Sequence, residues 1–411
     1  MTEKTSLQTT VCVVGGGPAG LVLGYLLARM GVEVTVLEKH ADFLRDFRGD
    51  TVHGSTLELL RDCGIKQRFD ALPQQHLQEM CINFGGESLK LGDFQGVKPF
   101  DYICLIAQWD FLNFMASEAK ALPSFRLIMQ CEATDIISES EQVKGVLATT
   151  PEGALEIRAD LVVACDGRSS TIRKVLKLPV TNLGAPMDVL WFRLPRKETD
   201  PSGLEGRLGA GHMMVMINRG DYWQIAYLVP KGSDAQLRTQ PITDFQQQVV
   251  ALVPYLQERS ALIRSWDEVK TLVVTVDRLQ RWHVPGALLI GDAAHAMSPI
   301  GGVGINMAIQ DAVAAANVIG RALQARHILD ETTLTEVQNK REAGVKRMQS
   351  LQVIAQNRVI SAVLRAKGKE PSVPLVLRWL ARFRWFRNIP ARIIGYGFGR
   401  EHVDTTLFKA K

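Results

Sequence analysis

The chain has few cysteines for its length, six in 411 residues, and none stands in a C-x-x-C pair or at ligand spacing from a histidine. Neither a zinc site nor a disulfide framework is expected, and isolated cysteines suit a reducing cytoplasm. Charge of one sign is also scarce in excess: 48 Lys and Arg against 43 Asp and Glu leave a net +5, too little to imply a nucleic-acid partner. The opening MTEKTSLQTT lacks the apolar core of a signal peptide. Residues 11–28 carry no charge, but three glycines and a proline at 15–18 interrupt them, which excludes a simple membrane span. There are no internal repeats or low-complexity tracts. With 46% hydrophobic and 22% charged residues, the composition is that of a globular enzyme large enough for two or three domains.

The first forty residues carry the strongest local signal. Val11–Val14 reads as a buried strand, Leu21–Met30 as an apolar helix and Val32–Leu37 as a second strand, making a βαβ unit. Between the first two lies Gly15-Gly16-Gly17-Pro18-Ala19-Gly20. In that setting Gly15 makes the tight turn, Gly17 admits a pyrophosphate and Gly20 lets the helix pack on the sheet, while the helix N-terminus offers N–H groups to phosphate. Glu38, with Lys39 after it, ends the second strand. A carboxylate there accepts from a ribose diol and repels a 2′-phosphate, so FAD or NAD is favoured over NADP.

Two further motifs follow predicted strands. Asp166-Gly167-Arg168-Ser169-Ser170-x-x-Arg173 comes after Leu161–Cys165, and a plain Asp-Gly turn would explain it equally well. Gly291-Asp292-x-x-His295-x-x-x-Pro299-x-Gly301-Gly302-Val303-Gly304-Ile305-Asn306 comes after Ala287–Ile290 and opens a long apolar helix over 305–325. Few structural needs call for that many glycines, a proline and an Asn just before a helix.

With these three motifs the sequence resembles the single-component (group A) flavoprotein monooxygenases, the p-hydroxybenzoate hydroxylase-like aromatic hydroxylases, over about residues 10–400. The resemblance implies tightly bound, non-covalent FAD and an α/β fold: a Rossmann-like FAD-binding domain with an inserted, mainly antiparallel β-sheet substrate domain and a C-terminal helical region. It implies cofactor contacts at Gly15, Gly17, Pro18, Ala19, Gly20, Glu38, Lys39, Arg48, Gln108, Asp166, Gly291, Asp292, Pro299 and Gly301–Asn306, with Pro299 and Gly302 nearest the isoalloxazine. In that family NAD(P)H reduces the flavin, O2 adds at C4a, and the hydroperoxide passes one oxygen to an aromatic or polyketide-like substrate by hydroxylation or epoxidation. The cofactor carries the difficult chemistry, so no catalytic triad or metal is expected. A flavin-dependent halogenase, an isoprenoid-chain reductase and a non-catalytic flavin-binding regulator are the alternatives; the nearest string to the halogenase W-x-W-x-I-P segment, Tyr222-Trp223-Gln224-Ile225, lacks it. No second G-x-G-x-x-G has a βαβ setting, so the nicotinamide is a visitor.

The expected division is 1–71, 105–178 and 284–325 for the FAD-binding domain, 72–104 and 179–283 for the substrate sheet, and 326–411 for the helical region. Trp191, Arg193, His212, Met214, Met216, Tyr222 and Trp223 lie on strand-like stretches of that sheet. Arg193, His212, Met214 and Tyr222 are the substrate-pocket candidates, although for any one of them core packing is the plainer role. His295 reads as structural or cofactor-supporting, and His53 either approaches the flavin or caps the helix starting near Ser55, the cap being the plainer role. Residues 378–400 interleave six arginines with Trp379, Phe383, Trp385 and Phe386. A closing helix that packs its aromatics on the sheet is preferred there to membrane contact. A cytoplasmic monomer or homodimer is expected.

Overall fold

The computed structural model describes residues 5–44, 51–84, 87–201, 203–209, 211–365, 379 and 382–409. Two large sheets organise them. The first is built on five parallel strands in the order Ala287–Leu289, Gly153–Ala164, Thr5–Val14, Val34–Leu37 and Phe125–Ile128. Parallel strands covered on both faces read as continuous apolar runs, and Val11–Val14, Val34–Leu37 and Leu161–Ala164 are buried throughout. An antiparallel pair, Glu132–Glu139 and Gln142–Thr150, extends this sheet alongside the first half of Gly153–Ala164.

Helix Pro18–Arg29 lies on the sheet, and Gly20 is required there because a Cβ would stand 1.9 Å from the Gly15 carbonyl oxygen. Helix Gly304–Gln324 packs on it in turn. The stretch 300–324 is apolar and long enough to cross a membrane by length and composition, but most of it is buried within the fold, as befits a core helix.

The second sheet has seven strands in the order Lys270–Leu272, Met187–Pro195, Tyr222–Pro230, His212–Asn218, Leu204–Gly209, Glu79–Phe84 and Glu87–Asp93. Every pairing is antiparallel except Leu204–Gly209 with Glu79–Phe84. Strict alternation gives it two distinct apolar faces. One face, with Leu190, Phe192, Met214, Met216, Trp223 and Tyr227, is closed by helix Ile242–Leu252 through Phe245 and Val249. The other, with Val189, Trp191, Met213, Val215, Ala226 and Leu228, packs against Ile300 and against Ile360 and Leu364 near the C-terminal end of the chain. The chain closes with helix Glu331–Ala355, its continuation to Arg365, and helix Arg384–Tyr396.

Candidate functional site

The carboxyl ends of four neighbouring parallel strands stand side by side, with Leu37 beside Val14, Val14 beside Ala164 and Ala164 beside Leu289. Ligands of open α/β sheets bind in the crevice beyond such ends. The three motif turns leave from three of these strands. The Gly15 N–H donates to the Leu37 carbonyl (2.8 Å), the Cys165 N–H to Val14 (2.7 Å) and the Ile290 N–H to Ala164 (3.0 Å). Motifs separated by more than a hundred residues therefore converge because hydrophobic strands pair in register.

Within the first turn, Glu38 is buried, accepting the Gly16 N–H at 3.1 Å and the His40 N–H at 3.0 Å. Lys39 turns to the sheet edge, where its exposed ammonium lies 3.8 Å from Glu132. Gly17 caps the helix with φ −76° and ψ −174°, and a Cβ there would meet nothing within 4 Å. Neither backbone geometry nor packing calls for glycine at 17, so the open space in front of it is a cradle that a side chain would fill. Pro18 sits at the first helical position without removing a needed N–H, Ala19 and Gly20 follow, and the N-terminal turn has neither a side-chain cap nor an acid.

The second turn behaves first as a cap. The Asp166 Oδ2 accepts the N–H of Thr171 (2.7 Å) and Ile172 (3.2 Å), and the Ser170 hydroxyl accepts from Arg173 (2.9 Å). Its other oxygen, Oδ1, is buried without a partner among the described residues. Burial pushes this carboxyl above the ordinary range, against the hydroxyl and N–H groups that pull it down. Arg168 reaches the third motif, with Nη2 donating to the Asp292 Oδ2 at 3.1 Å. That link, across 124 residues, was not foreseen from the motifs.

The third turn is held from behind. Gly291 packs by Ala19 and Ala308 and donates its N–H to the Asp311 Oδ2 (3.0 Å). The same oxygen lies 2.6 Å from His295 Nε2, and the Asp311 Oδ1 accepts from Arg341 Nε at 2.9 Å. His295, Asp311 and Arg341 are all fully enclosed, which assigns His295 a supporting place. Burial alone would raise the Asp311 carboxyl, but His295 and Arg341 hold it below the ordinary carboxylate value. Asp311 is the lone acid in an apolar helix, the signal by which it could have been found.

Pro299, Gly301 and Gly302 form a short turn, with Gly301 and Gly302 at φ +77° and +63°, where a side chain would be strained. Val303 is buried below it, and Gly304 and Ile305 begin the long helix, whose first turn again has no cap side chain and no acid. The Asn306 side chain is used within the fold: Oδ1 accepts from the His53 N–H (2.9 Å) and the Thr56 hydroxyl (2.8 Å), and Nδ2 donates to the Thr51 carbonyl (3.3 Å). Only its backbone remains to face a ligand. The Thr51 hydroxyl donates to Gly302 O (3.2 Å), tying the chain just after the expected cofactor arginine to this turn. Arg48 itself lies outside the described residues. Gln108 opens helix Gln108–Lys120, half-buried.

His53 does not cap its helix with its side chain. Its Nδ1 sits 2.7 Å from the Ile394 carbonyl, so the ring donates there and presents Nε2 as an acceptor. Nε2 is buried without a partner among the described residues, near the place a Gly302 Cβ would take. Burial lowers the imidazole to about 4, which keeps it neutral.

On the second sheet the four pocket candidates divide between its two faces. His212 and Met214 point to the helix-covered face, where Met214 is fully buried and His212 Nδ1 lies 2.6 Å from the Tyr227 hydroxyl. Met216 and Trp223 share that face. Arg193 and Tyr222 belong to the face with Trp191, where the Arg193 guanidinium lies 5.3 Å from the Tyr222 ring centre. Trp191 and Val215 pack both with Ile300 and with Ile394 and Tyr396, so sheet, turn and C-terminal helix share one apolar region.

The chain matches the family model described as "FAD binding domain" over residues 8–349. It is 30% identical over 406 residues to the 6-methylpretetramide 4-monooxygenase of Streptomyces rimosus, covering 98% of this chain and 96% of the relative. It is 29% identical over 361 residues to the rifampicin monooxygenase of Streptomyces venezuelae, covering 82% and 71%. In fold it is similar to the p-nitrophenol 4-monooxygenase of Pseudomonas putida DLL-E4, at a TM-score of 0.73 with 18% identity, over 95% of this chain and 97% of that one.

Proposed function

The chain belongs to the FAD binding domain family and is an FAD-dependent monooxygenase, and from that premise we propose that it oxygenates an aromatic, polyketide-like small molecule with NAD(P)H as transient donor. One observation carries the reading: three glycine-bearing turns meet at the carboxyl ends of adjacent strands, and an apolar sheet face stands opposite. The residues fit the cofactor, because the cradle before Gly17 and the orphaned Asp166 Oδ1 both ask for a bound group. FAD, when bound, supplies the electron transfer and oxygen activation.

The chain's own work is to bind, orient and exclude water. The N-terminus of Pro18–Arg29 would hold the pyrophosphate and Glu38 the adenosine ribose, with Lys39 left at the rim. Asp292, held by Arg168, would accept from the ribityl hydroxyls, and Gly291 keeps the chain close behind it. Pro299, Gly301 and Gly302 would flank the ring system, and the uncapped start of Gly304–Gln324, with Val303, Ile305 and the backbone of Asn306, would face negative charge at its pyrimidine end. Arg48 and Gln108 complete the proposed cofactor set.

The face bearing Trp191, Met213, Val215, Ala226 and Leu228 would bind a flat apolar substrate and keep water from the reaction, with Arg193 and Tyr222 at its edge. A polycyclic substrate is supported by that apolar wall and by the relative whose name gives 6-methylpretetramide. A reducing compartment suits six cysteines that are all free.

The test is a panel of phenols, quinones and polycyclic phenols offered with NAD(P)H under 18O2 to the FAD-loaded enzyme. The expected result is substrate-dependent NAD(P)H oxidation with one labelled oxygen in the product. Halide-dependent halogenation, or reduction of the substrate without label, would overturn it.

A further inference from the structure

The end of the chain leaves a coherent surface uncovered. On helix Arg384–Tyr396, Trp385, Ile389 and Arg392 follow the i, i+4, i+7 spacing of a single stripe. Trp385 is 63% and Ile389 48% exposed, and Arg392 is exposed as well. Just before them Trp379 and Phe383 are 57% and 38% exposed, with their rings edge to face at 4.9 Å. These aromatics therefore do not close against the sheet as the sequence reading preferred.

The other sides of the helix and its C-terminal turn are already fastened. Ala391 is buried and Gly395 faces Phe94. Arg387 donates to Asp93 at 3.3 Å, Asn388 to the Gln95 carbonyl at 3.2 Å, and the Tyr396 hydroxyl to the Phe100 carbonyl at 2.9 Å. The fold thus presents the apolar stripe outward on a pinned helix.

Charge decides what the stripe fits. Residues 371–400 contain six arginines and no Asp or Glu; Arg384 and Arg387 lie by Asp93, and Arg400 by Glu58. Arg382 and Arg392 are exposed beside the aromatics. A second copy of the same face would set arginine against arginine across a two-fold axis. An anionic bilayer answers both features, since Trp and Phe enter the interface while guanidinium groups meet lipid phosphates.

The geometry points to an anionic lipid surface as the partner of the face that carries Phe383, Trp385, Ile389 and Arg392, with the enzyme lying on the bilayer. Ile394 and Tyr396, on the same helix, pack with Trp191 and Val215, so docking would bring the apolar sheet wall close to the lipid.

The experiment is flotation of the FAD-loaded full chain with vesicles of phosphatidylcholine alone or mixed equally with phosphatidylglycerol. The enzyme is expected to float with the anionic vesicles and to be released by salt. Replacing Trp385 and Ile389 together by Ala should lower partitioning by about tenfold or more while leaving bound FAD unchanged. Arg382→Gln with Arg392→Gln, which removes no apolar contact, should abolish the preference for phosphatidylglycerol. Failure to float, equal flotation on both vesicles, or Trp385 and Ile389 changes that split a dimer and leave flotation unaltered would each overturn the assignment.

Discussion

His53 is the residue at which burial has the clearest measurable consequence. Its imidazole is enclosed, lowered from 6.5 to about 4, and bonded through Nδ1 to Ile394. The unfolded chain therefore takes up a proton between these values that the folded chain does not. The contribution of His53 to stability is complete above about pH 6.5 and is lost as pH falls toward 4, on the order of 3 kcal/mol in all. His53→Asn places an amide N–H where Nδ1 stands, which keeps a donor for the Ile394 carbonyl, but cannot titrate. Urea unfolding across this range should show a shallower pH dependence for the variant than for the parent, and superimposable slopes would refute the assignment. In the sequence His53 stands just before a helix, where a cap is the plainer role and approach to the flavin the other. The bond it makes spans 341 residues, so nothing local announced it.

At the scale of elements, helix Pro18–Arg29 separates glycines of two kinds. Gly20 is demanded by packing, with the Gly15 oxygen 1.9 Å from any added Cβ, while Gly17 has open space before it. Gly20→Ala should destabilise the FAD-stripped protein by about 1–3 kcal/mol. Gly17→Ala should leave that protein within about 0.5 kcal/mol of the parent yet weaken FAD binding by about tenfold, or roughly 1.4 kcal/mol. Urea melts of stripped protein and FAD titrations check both. A Gly17→Ala variant with lowered stability and unchanged FAD affinity would remove the cradle. The elements carrying the three turns were legible in the sequence because each is local: an apolar run, glycines, then a helix. The facing of the second sheet was not, because alternation defines two faces without saying which one a helix covers. Helix Ile242–Leu252 takes the face of His212 and Met214, and only its own buried positions, Phe245 and Val249, reveal that.

In the whole molecule, distant segments meet at the carboxyl ends of adjacent strands and are locked there by charge. Arg168 joins Asp292 across 124 residues, and Asp311, His295 and Arg341 brace the same turn from within the core. The motif positions were readable one by one, but their pairing depends on strand order and on a helix beginning beyond residue 330, which no local pattern encodes. The convergence makes a direct demand on Asp292, which stands where the motif turns meet and is proposed to hold FAD there. The decisive measurement is FAD affinity of the stripped protein by fluorescence titration, for the parent, Asp292→Ala and Asp292→Asn. Asp292→Ala loses the acceptor and should bind FAD about tenfold more weakly or worse, with Asp292→Asn in between. Asp292→Ala binding FAD as tightly as the parent would contradict the account.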